Sequence, residues 1–314
     1  MAILDYQYGD CVLNAIGTGS GQCELSDFGD FVGFGLLNKG TTITKADIAD
    51  APAFATALKD LILGRKLHQF TNFYDFTQDT PENEINTSAL GIMQNVRDGK
   101  PYFGAMFTKN SYFHKKAWAY KSQGKYDSFM YFTKGVLMWN NIDGTKLKGG
   151  SVSMIDVQTK RFKQGTDLEM TTMNIQFDQP EEFNTRYTFY TYEQLGVDLN
   201  QLDGVIDVTV NVTTPVTAGT TFSLYVANQY NADERFSSLD ATANWLIGGA
   251  QASATTLSSV VYNSTTDKLV FTVTPALVAT DTIAPKLRKG AFSVAEDTDG
   301  NFFAGQSAAV TVTA

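Results

Sequence analysis

Few residues in this chain have the type and spacing for acid–base or metal chemistry. His68 and His114 stand in different segments, in neither an H-x-x-x-H nor an H-E-x-x-H pattern, and two histidines cannot build a three-histidine metal site. Each reads as a structural histidine. Cys11 and Cys23 match no zinc pattern, because a four-ligand site lacks its other two members. The start of the chain, Met1-Ala2-Ile3-Leu4-Asp5-Tyr6, has no basic, apolar leader, so both cysteines are expected to be reduced and buried in a protein made in a cytoplasm. Glu181 and Glu182 follow Pro180 and read as a loop, where neighbouring carboxylates point apart and make no glycosidase pair. Glu296-Asp297-Thr298-Asp299-Gly300-Asn301 is acidic but places its glycine too early for an EF-hand loop and lacks the closing glutamate, so it reads as a hairpin turn. Gly17-Thr18-Gly19-Ser20-Gly21 is a turn without the strand, helix and lysine of a phosphate loop. The expectation is a protein with no catalytic residue, no cofactor and no bound metal.

One stretch mixes chemistry of another kind. Between Lys109 and Tyr126, His114, Lys115, Lys116, Lys121 and Lys125 interleave with Tyr112, Phe113, Trp118, Tyr120 and Tyr126. Such interleaving suits a single-strand nucleic-acid platform. It equally suits a helix with one aromatic and one lysine face. The net charge of −9 favours the second reading, because nucleic-acid binders need a basic surface. That charge is unevenly spread: −7 over residues 1–90, +7 over 91–170, −4 over 171–199 and −5 over 200–314. Such a division fits either compensation within one molecule or complementary faces on neighbouring copies.

The elements that must position these residues are mostly strands, with one clear helix. Phe54, Ala57, Leu58, Leu61 and Ile62 form an apolar stripe near 51–63, with Pro52 in the first turn, Thr44 with Asp47 or Asp50 as the cap, and Gly64 as the stop. Strand patterns follow: a period-two run from Leu67 to Phe76, then Tyr102 to Phe107, Gly135 to Trp139, Gly150 to Ile155 and Met170 to Phe177. Asp143-Gly144 predicts a hairpin between the third and fourth of these. From Leu202-Asp203-Gly204 the composition changes, and short strands recur at turn-separated intervals: 205–212, 222–226, 257–262, 268–274, 290–294 and 308–313. The fold class expected is mainly β: a β-rich α+β part over 1–202 and an immunoglobulin-like β-sandwich over 203–314. No run is long enough for a transmembrane helix, so no membrane insertion is expected.

The opening Met1 to Cys11, the Val96-Arg97-Asp98-Gly99-Lys100 stretch before aromatic strands, Lys163 to Phe177 with Pro180 to Asn184, and Leu202 to Thr209 leading into a sandwich together resemble virion structural proteins of tailed phages infecting Bacteroidota, the crAss-like phages among them. The resemblance is of general organisation over nearly the whole chain. It implies a multi-copy particle component such as a tail-tube, neck-ring or head-associated protein, made in the host cytoplasm, with itself and other virion proteins as partners. It implies no catalytic residue.

A self-assembling ring or tube needs complementary faces. Residues 15–40 and the acidic loop 78–87 are the candidate inter-subunit arms. Arg97, Lys100, Lys115, Lys116, Lys160, Arg161 and Lys163 are the candidate basic face, and reversing charge at the last three is expected to weaken assembly in a salt-dependent manner. Two other readings stand beside this one. The first is a carbohydrate- or cell-surface-binding or head-decoration module that contacts a host glycan through its C-terminal domain. The second is a hydrolase built around His114, an acid and a hydroxyl.

Overall fold

The computed structural model describes residues 28–45, 50–79, 81–87, 93–141, 144–165, 168–199, 204–251 and 254–314. Cys11, Cys23, the 17–21 glycine turn, Asp47 and Asp143 lie outside the described residues. The chain is mainly β, and it divides into two compact units: residues 1–61 with 66–202, and 62–65 with 203–314.

In the first unit the early strands are β1 (Phe31–Asn38), β2 (Thr42–Thr44), β3 (Leu67–Thr71), β4 (Asp75–Gln78), β5 (Glu84–Thr87), β6 (Met93–Arg97) and β7 (Tyr102–Phe107). The later ones are β8 (Ser122–Gln123), β9 (Tyr126–Phe132), β10 (Gly135–Asn140), β11 (Lys146–Lys148), β12 (Gly150–Val157), β13 (Thr171–Phe177) and β14 (Tyr187–Thr191). Among the described residues the helices are α1 (Ala51–Leu63), α2 (Ser111–Trp118), α3 (Pro180–Thr185) and α4 (Tyr192–Leu195). Strand β9 is the pivot. It pairs with β1 along its length, with β10 near Met130 and with the start of β12 at Ser128. Twelve strands form one continuous sheet that folds at β12 into two layers, the first and second sheets: the first runs through β3, β1, β9, β10 and β14, with β11 and β2 beyond, and the second runs β12, β13, β7, β4, with β8 beside β12.

Alternation decides what each face does. Phe34, Leu36, Met130, Leu137, Trp139 and Phe189 face the second sheet, whose Phe103, Phe107, Met173, Ile175 and Phe177 complete the core. A bulge between Val152 and Met154 brings Val152, Ile155 and Val157 into that same core. Rings contact directly, as in the stacked Phe34–Phe70 pair at 5.1 Å and the edge-on Phe103–Phe177 pair at 5.6 Å. The space left among Phe34, Phe76, Phe103, Met130 and Met173 is a cavity of about 10 Å³, no more than a single water would need. The opposite face of the first sheet is equally apolar: Leu37, Phe129, Tyr131, Val136, Met138 and Tyr190 are all buried. The segment after α4 covers part of it, since Gln69 Nε2 donates to Leu199 O at 2.9 Å. Gly35 lies in this layer, where a Cβ would stand 2.0 Å from the Tyr131 hydroxyl.

Helix α1 forms as expected, with Phe54 and Leu58 fully buried and Phe54 N–H donating to Asp50 O. Its end differs in detail: the left-handed residue is Arg65, at φ 55°, with Lys66 N–H returning to Leu61 O at 2.8 Å. Three other expectations are corrected. The 67–76 run is two strands in two sheets, because Asn72 adopts φ 60° and turns the chain. The turn at Gly144 joins β10 to β11, with Trp139 opposite Lys148, and β12 pairs elsewhere. Residues 180–185 are a helix, with Pro180 in its first turn, where a missing N–H costs nothing.

The second unit contains β15 (Val205–Val212), β16 (Val216–Thr217), β17 (Gly219–Asn228), β18 (Asn231–Arg235), β19 (Trp245–Gly248) and β20 (Thr256–Asn263). It continues with β21 (Lys268–Leu277), β22 (Thr282–Leu287), β23 (Ala295–Glu296), β24 (Phe302–Ala304) and β25 (Val310–Thr313). One sheet is ordered β20-β21-β17-β15-β24-β23, and the other β16-β25-β22-β19. Val208, Val210, Phe222, Leu224, Leu269 and Phe271 of the first meet Trp245, Ile283, Leu287 and Val312 of the second in a single core. The expected strand at 290–294 is instead a tight turn, with Lys289 and Phe292 exchanging backbone bonds of 3.0 Å around Gly290 at φ 58°.

Candidate assembly interface

Helix α2 forms because Asn110 caps it: the side chain accepts from Phe113 N–H at 3.0 Å. Lys115 and Lys116 lie in the last turn, where the helix dipole favours cations. Its inner side is fixed by Ala117, fully buried, and by Phe113, 4.9 Å from Phe107 in the core. Its outer side presents Lys115 and Trp118, the latter 46% exposed with Lys121 Nζ 4.9 Å over its ring.

Beside it lies the loop between β12 and β13. Arg161 and Met170 pair through two backbone bonds of 3.0 Å. Within the loop they close, Phe162, Lys163, Gln164, Gly165 and Leu168 are exposed, Phe162 to 74%. The loop is pinned to α2 by Lys160, whose side chain is only 7% exposed. Its ammonium donates to Ser111 Oγ at 3.0 Å and pairs with the Glu169 carboxylate, to which Ser111 also donates at 3.4 Å. The bond from Lys160 holds the Glu169 carboxyl below its ordinary range. His114 stands next to this group, Nδ1 at 3.2 Å from Thr171 Oγ1, and burial, with Lys160 adding, lowers its pKa.

This arrangement is poorly suited to nucleophilic catalysis. Ser111 is held by an ammonium and a carboxylate, and neither contact is to His114. His114 is instead tied to a threonine hydroxyl, and among the described residues no carboxylate hydrogen-bonds its ring. His68 meets Tyr120 OH at 3.0 Å and packs edge-on against Tyr126, in a structural setting. Among the described residues no group of three or more His, Cys, Asp or Glu could hold a metal ion. The Asp297 carboxylate accepts from the Asp299 and Asn301 amides, the Asn301 side chain and Ser238 Oγ, which fills the lone pairs a cation would use.

The seven basic residues singled out in the sequence do not form one surface. Lys115, Lys116, Arg161 and Lys163 gather around α2 and the 158–170 loop. Lys160 is the buried pin beneath them. Lys100 belongs to the far end of the second sheet, where it pairs with Asp178 at 2.8 Å. Arg97 is opposite Glu84 in the β5–β6 ribbon, and its side chain lies outside what is described. The exposed apolar members, Phe162 and Leu168, escaped sequence reasoning. The available signal was an aromatic residue set between Arg161 and Lys163 ahead of Gly165, a context with no core periodicity.

At the far end the chain builds a different object. Strands β5 and β6 pair only with each other among the described strands, and Ile85 on β5 is 57% exposed. The base of this ribbon is closed by Gly99 N–H donating to Asn83 Oδ1 at 2.9 Å. Gly99 also sits so close to Pro81 that a Cβ would lie 1.7 Å from its carbonyl oxygen. No helix among the described residues is long and apolar enough to cross a membrane. No protein-family model matches the chain, and no curated protein matches it.

Proposed function

We propose that the chain is a non-enzymatic structural subunit that assembles with copies of itself into a ring or tube as part of a bacteriophage virion. The observation that carries the assembly reading is the β5–β6 ribbon. A two-stranded ribbon is marginal in water by itself, and this one exposes a large aliphatic side chain on a strand that, among the described residues, no third strand covers. A neighbouring copy supplies the missing cover. The virion setting rests on the resemblance of the sequence.

The second unit fits an immunoglobulin-like spacer or decoration domain in the same proposal. In its support, β15, β17, β21 and β20 lie side by side in one sheet, β19, β22 and β25 in the other, and β16 crosses to run parallel to β25. Trp245 on β19 is buried, with its indole N–H donating to Leu239 O at 2.7 Å. This is the one tryptophan of residues 203–314, so a sugar-stacking platform there would have to use other rings. The test is the solution mass of the full-length protein by light scattering across salt concentrations, with negative-stain images of the same samples. Closed rings or tubes are the expected result. A monomer at every protein and salt concentration would refute the reading.

A further inference from the structure

The second sheet of the first unit has opposite charge at its two ends. Strand register defines the ends: Phe107 is opposite Thr171 at one, and Tyr102 opposite Gln176 at the other. Strand β7 has six residues, so the ends are roughly 17 Å apart at about 3.3 Å per residue. Past the Phe107 end the chain enters α2, and β12 and β13 are joined there by the 158–170 loop. This end carries Lys115, Arg161 and Lys163 around the exposed Trp118, Phe162 and Leu168, with Lys121 beside them paired to Asp156 at 2.8 Å. Past the Tyr102 end lie Asp79, whose N–H donates to Tyr102 O, and the base of the ribbon. There Asp79, Glu82, Glu84, Asp98 and Glu181 are exposed.

We infer that copies of this chain stack head to tail along this sheet, with the acidic ribbon end of one copy seated on the basic aromatic end of the next. The inference rests on the self-assembly reading and gives it a direction. Charge complementarity between the ends selects the partner, since both surfaces belong to the same chain. The apolar centre supplies the burial: Phe162 and Trp118 offer ring surface, and Ile85 on the ribbon is an exposed aliphatic group of the right kind to cover it. The contact is heterologous, the same two different patches at every junction, so it propagates along an axis and does not stop at a dimer.

Charge swapping tests the direction. Arg161→Glu with Lys163→Glu puts negative charge on the 158–170 loop, and Glu82→Lys with Glu84→Lys puts positive charge on the base of the ribbon. All four side chains are exposed, and circular dichroism of each variant verifies the fold. Each double variant is expected to self-associate at least about tenfold more weakly than the wild type at low salt, and an equimolar mixture of the two is expected to restore assembly by alternating copies. If the wild type assembles and the variants assemble equally well, or the mixture restores nothing, the stacking direction is wrong while self-assembly stands. If the wild type is monomeric throughout, both fall. A fluorescent single-stranded oligonucleotide is the control: tight binding by the monomeric wild type, lost in Arg161→Glu with Lys163→Glu, would reassign this surface to nucleic acid and overturn the proposal.

Discussion

Replacing Lys148 by methionine tests the energetics of the charges buried beside α3. Glu182 is 4% exposed, and Lys148, at 23%, pairs with its Oε1 and donates to Ser151 Oγ at 3.1 Å. Ser151 N–H donates to the other carboxylate oxygen at 3.1 Å. Burial alone would raise the Glu182 pKa; Lys148 and the bonds from Ser151 more than reverse it and hold the carboxyl below its ordinary value. Removing the ammonium leaves a buried carboxylate with only the N–H and hydroxyl of Ser151 as donors, and breaking such a pair costs roughly 3–5 kcal/mol. Protonation caps the cost. From an ordinary value of 4.5, forcing the proton on at pH 7 costs about 3.4 kcal/mol at about 1.36 kcal/mol per unit. At pH 5 the same cap is about 0.7 kcal/mol. The wild-type contribution has the same sign: a carboxylate with a depressed folded pKa stabilises above its unfolded value, and that support is lost as pH falls through the folded value. The variant is therefore expected to lose about 3 kcal/mol at pH 7 and much less at pH 5. Urea unfolding read by Trp139 emission, in a background where Trp118 and Trp245 are phenylalanine, measures this as a midpoint shift of about 1 M at pH 7. An equal loss at both pH values, or a loss under about 0.5 kcal/mol at pH 7, would refute the reasoning.

Asp127 gives the opposite sign nearby. It is buried, Oδ2 accepts from Gly40 N–H at 3.3 Å, and Oδ1 has no hydrogen-bond partner among the described residues. Burial raises its pKa against the Gly40 bond and the charges of Lys148 and Lys39, so the ionised form weighs on the fold as pH rises past the unfolded value. Asp127→Asn keeps the Gly40 bond and is expected to match the wild type in acid and gain about 1 kcal/mol at pH 7 by the same urea assay; a loss at pH 7 would show that the charge is needed. Lys160→Met removes the pin between α2 and the 158–170 loop. Trypsin is then expected to cut after Arg161 and Lys163 faster than in the wild type, and an unchanged rate would show that the loop is held by other contacts.

Much of the fold was legible wherever one periodicity ran unbroken. The α1 stripe placed Phe54 and Leu58 in a core, and the alternation of 205–212 and 268–274 placed Val208, Val210, Leu269, Phe271 and Val273. The failures have local causes. Across 67–76 the aromatic alternation continues through the break, because β3 and β4 each bury aromatic rings in the same core while belonging to different sheets; the left-handed Asn72 that parts them leaves no mark on the pattern. Strand β11 is three residues long, too short to show a period, so the hairpin signal at Gly144 points past it to the longer strand beyond. Strand β22 contains Pro285, a residue that argues against an interior strand, yet Pro285 serves its neighbours as an acceptor, taking Ser307 N–H on its carbonyl at 2.9 Å.

The candidate site shows a different limit, because charge summed along a sequence is not charge summed over a surface. Residues 91–170 total +7, but β7 carries the chain from one end of its sheet to the other partway through that segment. Lys100 therefore ends beside Asp178, on the acidic end, while Lys115 and Lys121 end beside the loop that β12 and β13 form much later. Antiparallel pairing then returns Arg161 and Lys163 to the α2 end, fifty residues downstream of the helix they join. Within that gathering, side-chain depth separates residues that composition treats alike: Lys160 and Arg161 are adjacent, and one is a buried tie while the other faces water. A reversal at Lys160 would thus dislodge the loop as well as change its charge, whereas a reversal at the exposed Lys163 leaves that tie in place.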